Sequence, residues 1–278
     1  GSRAEVGRKP HLLTFDVEDW HRGMGVAPRG ADSHLETAMD SMLEVLDGMG
    51  VRATFFVLGE DALRIQVPLQ RCAEAGHEVA SHGMHHVRVD TMDATAFRRD
   101  ISEASARLED ITQKPCRGYR APWFSLRPEM AWAFEVLAEE GMAYDASLRL
   151  PLKAGPPRAV ADAGLVEVPV PTLRYPWGQF GILSGLLLRL LPHWAVRAML
   201  DTATRAGVPG CVYLHPYEWE QVRPAPAGPM MKVARRRLLV SRTLPILQRS
   251  AGHVAFMSIE KWLSLRSTGR PESERGQR

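Results

Sequence analysis

Short β-favouring runs alternate along this chain with segments of helical period, and several of the runs end in charged or imidazole groups. That alternation constrains the fold more than any other feature, because strand, helix and strand in succession build a parallel sheet. His11 to Val17, Arg52 to Val57, Glu78 to Ser81, Met142 to Asp145, Leu165 to Val168, Cys211 to Leu214 and Val254 to Met257 read as strands. Leu35 to Met49 reads as a helix, since Leu35, Ala38, Met42, Val45 and Leu46 recur with helical period. Ala62 to Ala75, closed by Gly76, Ala94 to Ile111, and Pro128 to Glu140, with Gly141 after its end, read as further helices. The rhythm predicts an α/β fold whose mostly parallel sheet closes as a (β/α) barrel. A length of 278 residues suits one such barrel, which takes about 250.

Barrel enzymes assemble their sites from groups at the carboxyl ends of successive strands, so the residues that end these runs matter. Asp16 and Glu18 end the first run and look the same way, because strand side chains alternate, while Val17 faces the core. The segment after the third run, Ser81-His82-Gly83-Met84-His85-His86, holds three histidines in five residues. On one helical turn or a tight loop, His82 and His86 share a face and His85 does not. Two imidazoles and a carboxylate suit a catalytic divalent metal, since three protein ligands leave room for water. Set against this, a chance i,i+4 histidine pair on a solvated helix is common. Arg117-Gly118-Tyr119-Arg120-Ala121-Pro122-Trp123-Phe124 and Cys211-Val212-Tyr213-Leu214-His215-Pro216-Tyr217-Glu218-Trp219 repeat one arrangement: a β-favouring run, a charged or imidazole group, then proline.

In order, these segments resemble the polysaccharide deacetylases, the NodB-homology or carbohydrate esterase family four enzymes. Thr14-Phe15-Asp16-Val17-Glu18-Asp19 resembles the family's first motif, Ser81 to His86 the second and Arg120-Ala121-Pro122-Trp123 the third. Tyr144-Asp145-Ala146-Ser147 resembles the fourth and Leu214-His215-Pro216 the fifth. The first motif with Trp20, and the stretch from Glu167-Val168-Pro169-Val170 to Leu190-Leu191-Pro192, resemble the branch found in exopolysaccharide gene clusters, including exosortase-associated enzymes. The chain departs from the family twice. Asp16 is followed by Val17, Glu18 and Asp19 rather than by a second aspartate, so the third ligand is Glu18 if the strand alternates and Asp19 if the chain turns at once after Val17. Gly83 stands where the family usually carries a hydroxyl residue.

The resemblance implies a distorted (β/α)7-8 barrel that hydrolyses N-acetyl groups on carbohydrate. Amide hydrolysis takes an activated water, charge stabilisation at the carbonyl oxygen and a proton for the departing amine. A divalent metal, Zn2+ first with Co2+, Ni2+ or Mn2+ as alternatives, would be held by His82, His86 and Glu18 or Asp19. Asp16 would be the base, oriented by Arg120, and His215 the acid, paired with Asp145. Trp123 would lend its backbone N–H and its ring, and Tyr217 would line the sugar groove. Two rival readings remain: a hydrolase of a ureide or an O-acetyl ester on the same fold, and a carbohydrate-binding module with a vestigial site.

Composition bounds the rest. A net charge of +3 is too small to argue for nucleic acid. Cys72, Cys116 and Cys211 lie apart inside apolar runs and read as reduced core residues. Residues 1–10 read as tag and N-terminal extension, Gly1-Ser2 being an expression scar, 11–266 as one catalytic domain and 267–278 as a polar, disordered tail. A cytoplasmic location, peripheral to the inner membrane, is expected, with an upstream targeting segment left open. Phe180 to Leu191 is too short to span a bilayer, which takes about twenty residues. It reads either as a buried core helix or as an exposed apolar lip that, with Arg235-Arg236-Arg237, rests on a membrane or a lipid-linked glycan.

Overall fold

A computed structural model describes residues 9–19, 22, 34–175, 178–219 and 238–268, without the side chains of 173–175 and 178–180. Trp20, Arg235-Arg236-Arg237, residues 1–8 of the N-terminal extension and 269–278 of the tail lie outside the described residues. The strands are β1 (Pro10–Val17), β2 (Thr54–Val57), β3 (Glu78–Ser81), β4 (Gly118–Tyr119), β5 (Tyr144–Asp145), β6 (Arg149–Pro151), β7 (Val166–Glu167), β8 (Val170–Tyr175), β9 (Gly178–Gly181), β10 (Cys211–Leu214) and β11 (Ala255–Met257). Eight of them form one parallel sheet in the order β10-β1-β2-β3-β4-β5-β7, with β11 paired to the start of β1. This is the α/β architecture expected from the alternation of strands and helices, a curled parallel half-barrel of the (β/α)7-8 type.

Period-two alternation sorts the side chains of each strand into two layers. Leu13, Phe15 and Val17 of β1, with Phe55 and Val57 of β2, pack outward against helix Leu35–Gly48, which buries Leu35, Ala38, Met39, Met42, Leu43 and Leu46. Leu12, Phe56, Ala80, Tyr144, Ala146, Val168 and Cys211 fill the inner layer. Thr14 and Asp16 therefore point into the barrel on the same side as Leu12, and the site grows out of its interior.

Three stretches depart from the sequence expectation. The helix read over Ala62 to Ala75 is interrupted: Gly59–Ala62 runs into a 3-10 turn, Leu63–Ile65, before helix Gln66–Glu74. Pro68 explains the restart, because a proline is tolerated in the first turn of a helix and not in its interior. The helix expected from Pro128 begins at Ala131, after a turn in which Met130 N–H donates to the Arg127 carbonyl.

The third departure is a second sheet, β6-β8-β9, absent from the sequence reading. Its strands carry Pro151, Pro171, Gly178 and Gly181, which read as loop. It lies beyond the β7 edge and reaches β10, where Ser184 bridges Tyr213 and Tyr213 N–H donates to the Leu183 carbonyl at 3.2 Å. The apolar stretch 180–191 follows from this sheet. Backbone of β9 is succeeded by a turn and the six-residue helix Gly185–Leu190, and Ile182, Leu183 and Leu188 join the core while Leu190 is exposed. Leu186, Leu187 and Leu191 are half-buried, so the stretch is core on one side and partly exposed on the other. No helix among the described residues is long and apolar enough to cross a membrane.

The inner layer should be as sensitive as an ordinary core. Phe56 is fully buried, edge-on to Tyr144, with the Arg120 guanidinium 4.1 Å above its ring. Phe56→Ala is expected to cost about 3–5 kcal/mol, read as a drop in the denaturant midpoint. An unchanged midpoint would mean that the barrel interior is not packed as described.

Candidate metal and acid–base centre

Each group at the centre stands just past, or at, the carboxyl end of a parallel strand. Asp16 is on β1 and Glu18 one residue beyond it; His82 follows β3, Arg120 follows β4 and His215 follows β10. Ligand atoms of Glu18, His82 and His86 all lie within 4.8 Å of one another. His86 Nε2 touches Glu18 Oε2, and His215 Nε2 stands 3.9 Å from Glu18 Oε1. The alternation that sends Val17 into the outer layer thus carries Glu18 back over the barrel mouth. Asp19, the other ligand candidate, is turned to the Arg64 guanidinium at 3.5 Å and is not part of the cluster.

The two histidines meet without a helix. His86 has φ 55 and Gly83 φ 80, and this loop brings the His82 and His86 rings to 5.4 Å between centroids. Gly83 answers the departure from the family's hydroxyl residue. A Cβ there would lie 2.6 Å from Asp100 Oδ2, the carboxylate that accepts the Met84 N–H at 2.9 Å. His85 faces away and bonds Glu60 at 2.7 Å.

The donor set fits a divalent cation. His82 Nδ1 lies 2.8 Å from the Arg120 carbonyl, which can only accept, so Nδ1 carries the proton and Nε2 keeps its lone pair. Burial foremost lowers the His82 pKa to about 4, which keeps the ring neutral as a ligand must be. Glu18 is almost fully buried, and its Oε2, against His86 Nε2, makes no hydrogen bond of good geometry. Burial works against its charge, yet the His86 contact and the charges of His86, His215 and His82 bring its pKa down to about 2. Two imidazoles and one carboxylate leave coordination positions open.

Beside these residues, Asp16 Oδ1 accepts from Arg120 Nη1 at 2.7 Å, with Arg120 wholly buried. Burial alone would raise the Asp16 pKa, but Arg120, with His82 and His215, holds it below the usual carboxylate range. His215 is partnered differently from the expectation. Its Nδ1 lies 2.9 Å from Glu218 Oε2, because the turn Pro216–Glu218 places the residue three further on beneath the ring. Burial opposes the charged imidazole, and the Glu218 hydrogen bond with the charges of Glu218, Glu18 and Asp16 outweighs it, so the His215 pKa is raised.

Asp145, expected as the partner of His215, instead accepts from Ser147 N–H at 3.0 Å and Ser147 Oγ–H at 2.6 Å, and shares a hydrogen bond with Glu167. Burial and the neighbouring Asp145 push the Glu167 pKa well up, so Glu167 holds the proton of the pair. Of the aromatic candidates, Trp123 is 45% exposed with its ring 5.1 Å from that of His86, and Tyr217 stacks on His215 at 4.8 Å. Trp219 is buried in the core, edge-on to Phe15. Sequence reasoning missed Glu218, Arg189 and Glu167. For Glu218 a signal existed, since a residue that can accept at a cap followed three later by glutamate is a capping-box spacing.

With the geometry described, comparison with known proteins identifies the family. Residues 3–138 match the polysaccharide deacetylase family, and residues 151–264 match a domain of unknown function (DUF3473). The chain carries a polysaccharide deacetylase domain of the NodB-homology type. A peptidoglycan deacetylase of Helicobacter pylori is 28% identical over 118 residues, 41% of this chain and 38% of that protein. A chitin deacetylase of a Pestalotiopsis species is 30% identical over 87 residues, 30% of this chain and 29% of that protein. The matched stretches therefore span well under half of these relatives. A crystal structure of a Mycobacterium smegmatis protein named for polysaccharide deacetylation superposes with a TM-score of 0.67 at 20% identity, covering 96% of both chains, and shares the fold. Strands from both matched regions, β1 to β4 from the first and β7, β10 and β11 from the second, lie in the one parallel sheet, with β5 between the two matches in sequence.

Two outcomes follow from these contacts. His82→Ala and His86→Ala should each strip bound metal, measured by elemental analysis after dialysis, while His85→Ala keeps it; metal lost with His85 and kept without His86 would refute the ligand set. For Glu167, a folded pKa above the unfolded value contributes stability that is present at acid pH and lost as pH rises through the folded pKa. Glu167→Gln, which cannot ionise, should therefore lose less melting temperature than the parent chain as pH rises above the ordinary glutamate range. Parallel curves would mean that Glu167 is already charged in the native protein.

Proposed function

We propose that this chain is a metal-dependent carbohydrate N-deacetylase, releasing acetate from an N-acetylhexosamine in a bacterial exopolysaccharide or its lipid-linked precursor. The observation that carries the reading is the meeting of three parts at one barrel mouth: the Glu18, His82 and His86 donors, the Arg120-held carboxylate of Asp16, and the imidazole of His215. Family membership of the first half of the chain supports the reaction class, and the unmatched length of the relatives leaves the substrate to experiment. A divalent cation, Zn2+ first, held by Glu18, His82 and His86 would polarise an acyl carbonyl and acidify adjacent water toward a pKa of about 7.

The protein's own groups divide the proton work. Arg120 engages Asp16 Oδ1, which leaves Oδ2 to take a proton from the attacking water. As the water oxygen bonds the acetyl carbon and the C–N bond breaks, His215 gives the Nε2 proton to the departing amine. Its raised pKa suits it to hold that proton at neutral pH. Trp123, exposed beside His86, would offer its backbone N–H to the carbonyl oxygen and its ring to a sugar face, and Tyr217, stacked on His215, would line the sugar groove. For a lipid-linked substrate the support is narrower: Leu190 and Trp194 are exposed beyond the core part of the 180–191 stretch.

Acetate release from a panel of N-acetylated glycans, with metal removed and restored, tests the reaction. Asp16→Asn should bind metal as the parent does and lose about 10²- to 10⁴-fold in turnover, because general-base catalysis contributes about that much. Loss of metal in this variant would make Asp16 a ligand; release of acetate from esters or ureides alone would move the reading to those substrates.

A further inference from the structure

His215 is expected to donate a proton, and an imidazole does this reproducibly only if its other nitrogen is held. The group that holds it comes from a part of the chain to which no activity is attached. Glu218 Oε2 takes both the His215 backbone N–H, at 3.1 Å, and His215 Nδ1, at 2.9 Å. Its second oxygen, Oε1, lies 3.1 Å from Arg189 Nη1. Arg189 is among the largest fully buried side chains, on helix Gly185–Leu190, and its Nε and Nη1 make no hydrogen bond of good geometry. A guanidinium in that position requires a countercharge, and Glu218 supplies it.

The helix is brought close for this contact. A Cβ on Gly185 would fall 2.4 Å from Glu218 Oε2, so only glycine lets the backbone stand against the carboxylate. Ser184, which caps the helix, also bridges to Tyr213 of β10, and β10 carries His215 at its end. Helix, carboxylate and imidazole are thus one connected unit, all inside residues 151–264.

We propose that Glu218, clamped by Arg189, is the positioning residue of His215, fixing its Nδ1 proton and aiming Nε2 at the site, and that supplying this unit is a function of the segment matched to the domain of unknown function. The assignment rests on the deacetylase reading for its kinetic consequence, but the orienting bond is measurable without turnover. In 15N-histidine-labelled protein, the His215 Nδ1–H, assigned by its loss in His215→Gln, should resonate far downfield as a proton bonded to a carboxylate. Glu218→Gln should move it upfield or abolish it, and Asp145→Asn should leave it in place. In the kinetic arm, Glu218→Gln should lower kcat about 10- to 100-fold with little change in KM and with metal content retained.

An uncompensated Arg189 could unfold the single variant, so the double variant Glu218→Gln with Arg189→Met, which removes both charges at similar volume, is measured beside it and should show the same kcat loss. Glu218→Asp, which keeps the charge, should recover part of it. An Nδ1 resonance unmoved by Glu218→Gln, or parental kcat in the double variant, overturns the assignment. If the parent chain releases no acetate from any glycan, the deacetylase reading fails, and the resonance still decides whether Glu218 positions His215.

Discussion

A guanidinium inside a barrel is the constraint from which the site follows. Arg120 is completely buried, and a charge so placed must be met by partners on every side. Its Nη1 donates to Thr14 Oγ1 at 2.8 Å and Asp16 Oδ1 at 2.7 Å, its Nε to the Ala146 carbonyl at 3.0 Å, and its Nη2 faces Cys211 Sγ at 3.5 Å. Phe56 offers a ring face beneath it. Side chain and backbone of this one residue therefore join β1, β2, β10 and the end of β5. Its carbonyl, meanwhile, fixes the tautomer of His82. The ionised state of the candidate base and the ligand form of the first histidine are both set by Arg120.

The two buried acidic clusters show how the same barrel reaches opposite charge states. Asp16 has a full cation in contact and stays ionised despite burial. Asp145 on β5 and Glu167 on β7 have no such contact, Arg120 acting on them only at a distance, so they share one proton, with Ser147 and the Leu148 N–H satisfying the remaining oxygens. The contrast explains why Asp145 cannot serve His215. Its oxygens are spent on closing the β5–β7 end of the sheet.

What the sequence made legible was whatever depends on short-range periodicity. Strand alternation favours Glu18 over Asp19 without deciding between them, and the β-favouring runs locate β3 and β10 to the residue. His82 and His86 could be paired by spacing, although a loop with left-handed Gly83 and His86 joins them rather than a helical turn. Long-range choices were not legible. Whether His215 bonds Asp145 or Glu218 depends on how far β5 stands from β10, and in this fold β1 to β4 separate the two in the sheet. The small sheet β6-β8-β9 was itself hidden, because prolines and glycines in its strands carry the composition of loops. A buried Arg189 in a leucine-rich helix reads as a surface cation until Glu218 is seen beneath it.

Strain is concentrated where the reactive groups stand. Of the non-glycine residues described with positive φ, His86, Trp123 and Phe124 all lie in the two loops over the barrel mouth. Each such conformation costs about 1–3 kcal/mol and persists only when neighbours over-determine it. For Phe124 the neighbours are plain: its ring lies 5.5 Å from the Arg120 guanidinium, 4.4 Å from that of Arg149 and 5.1 Å from Tyr213. Ser125 closes the turn, bonding the Pro122 carbonyl and accepting the Val89 N–H. With Phe124 pulled inward and the turn locked, Trp123 has no route into the core and is projected to solvent beside His86. The exposed indole is therefore a consequence of packing beneath it, and the strain in the loop is offset by the same buried guanidinium that holds Asp16.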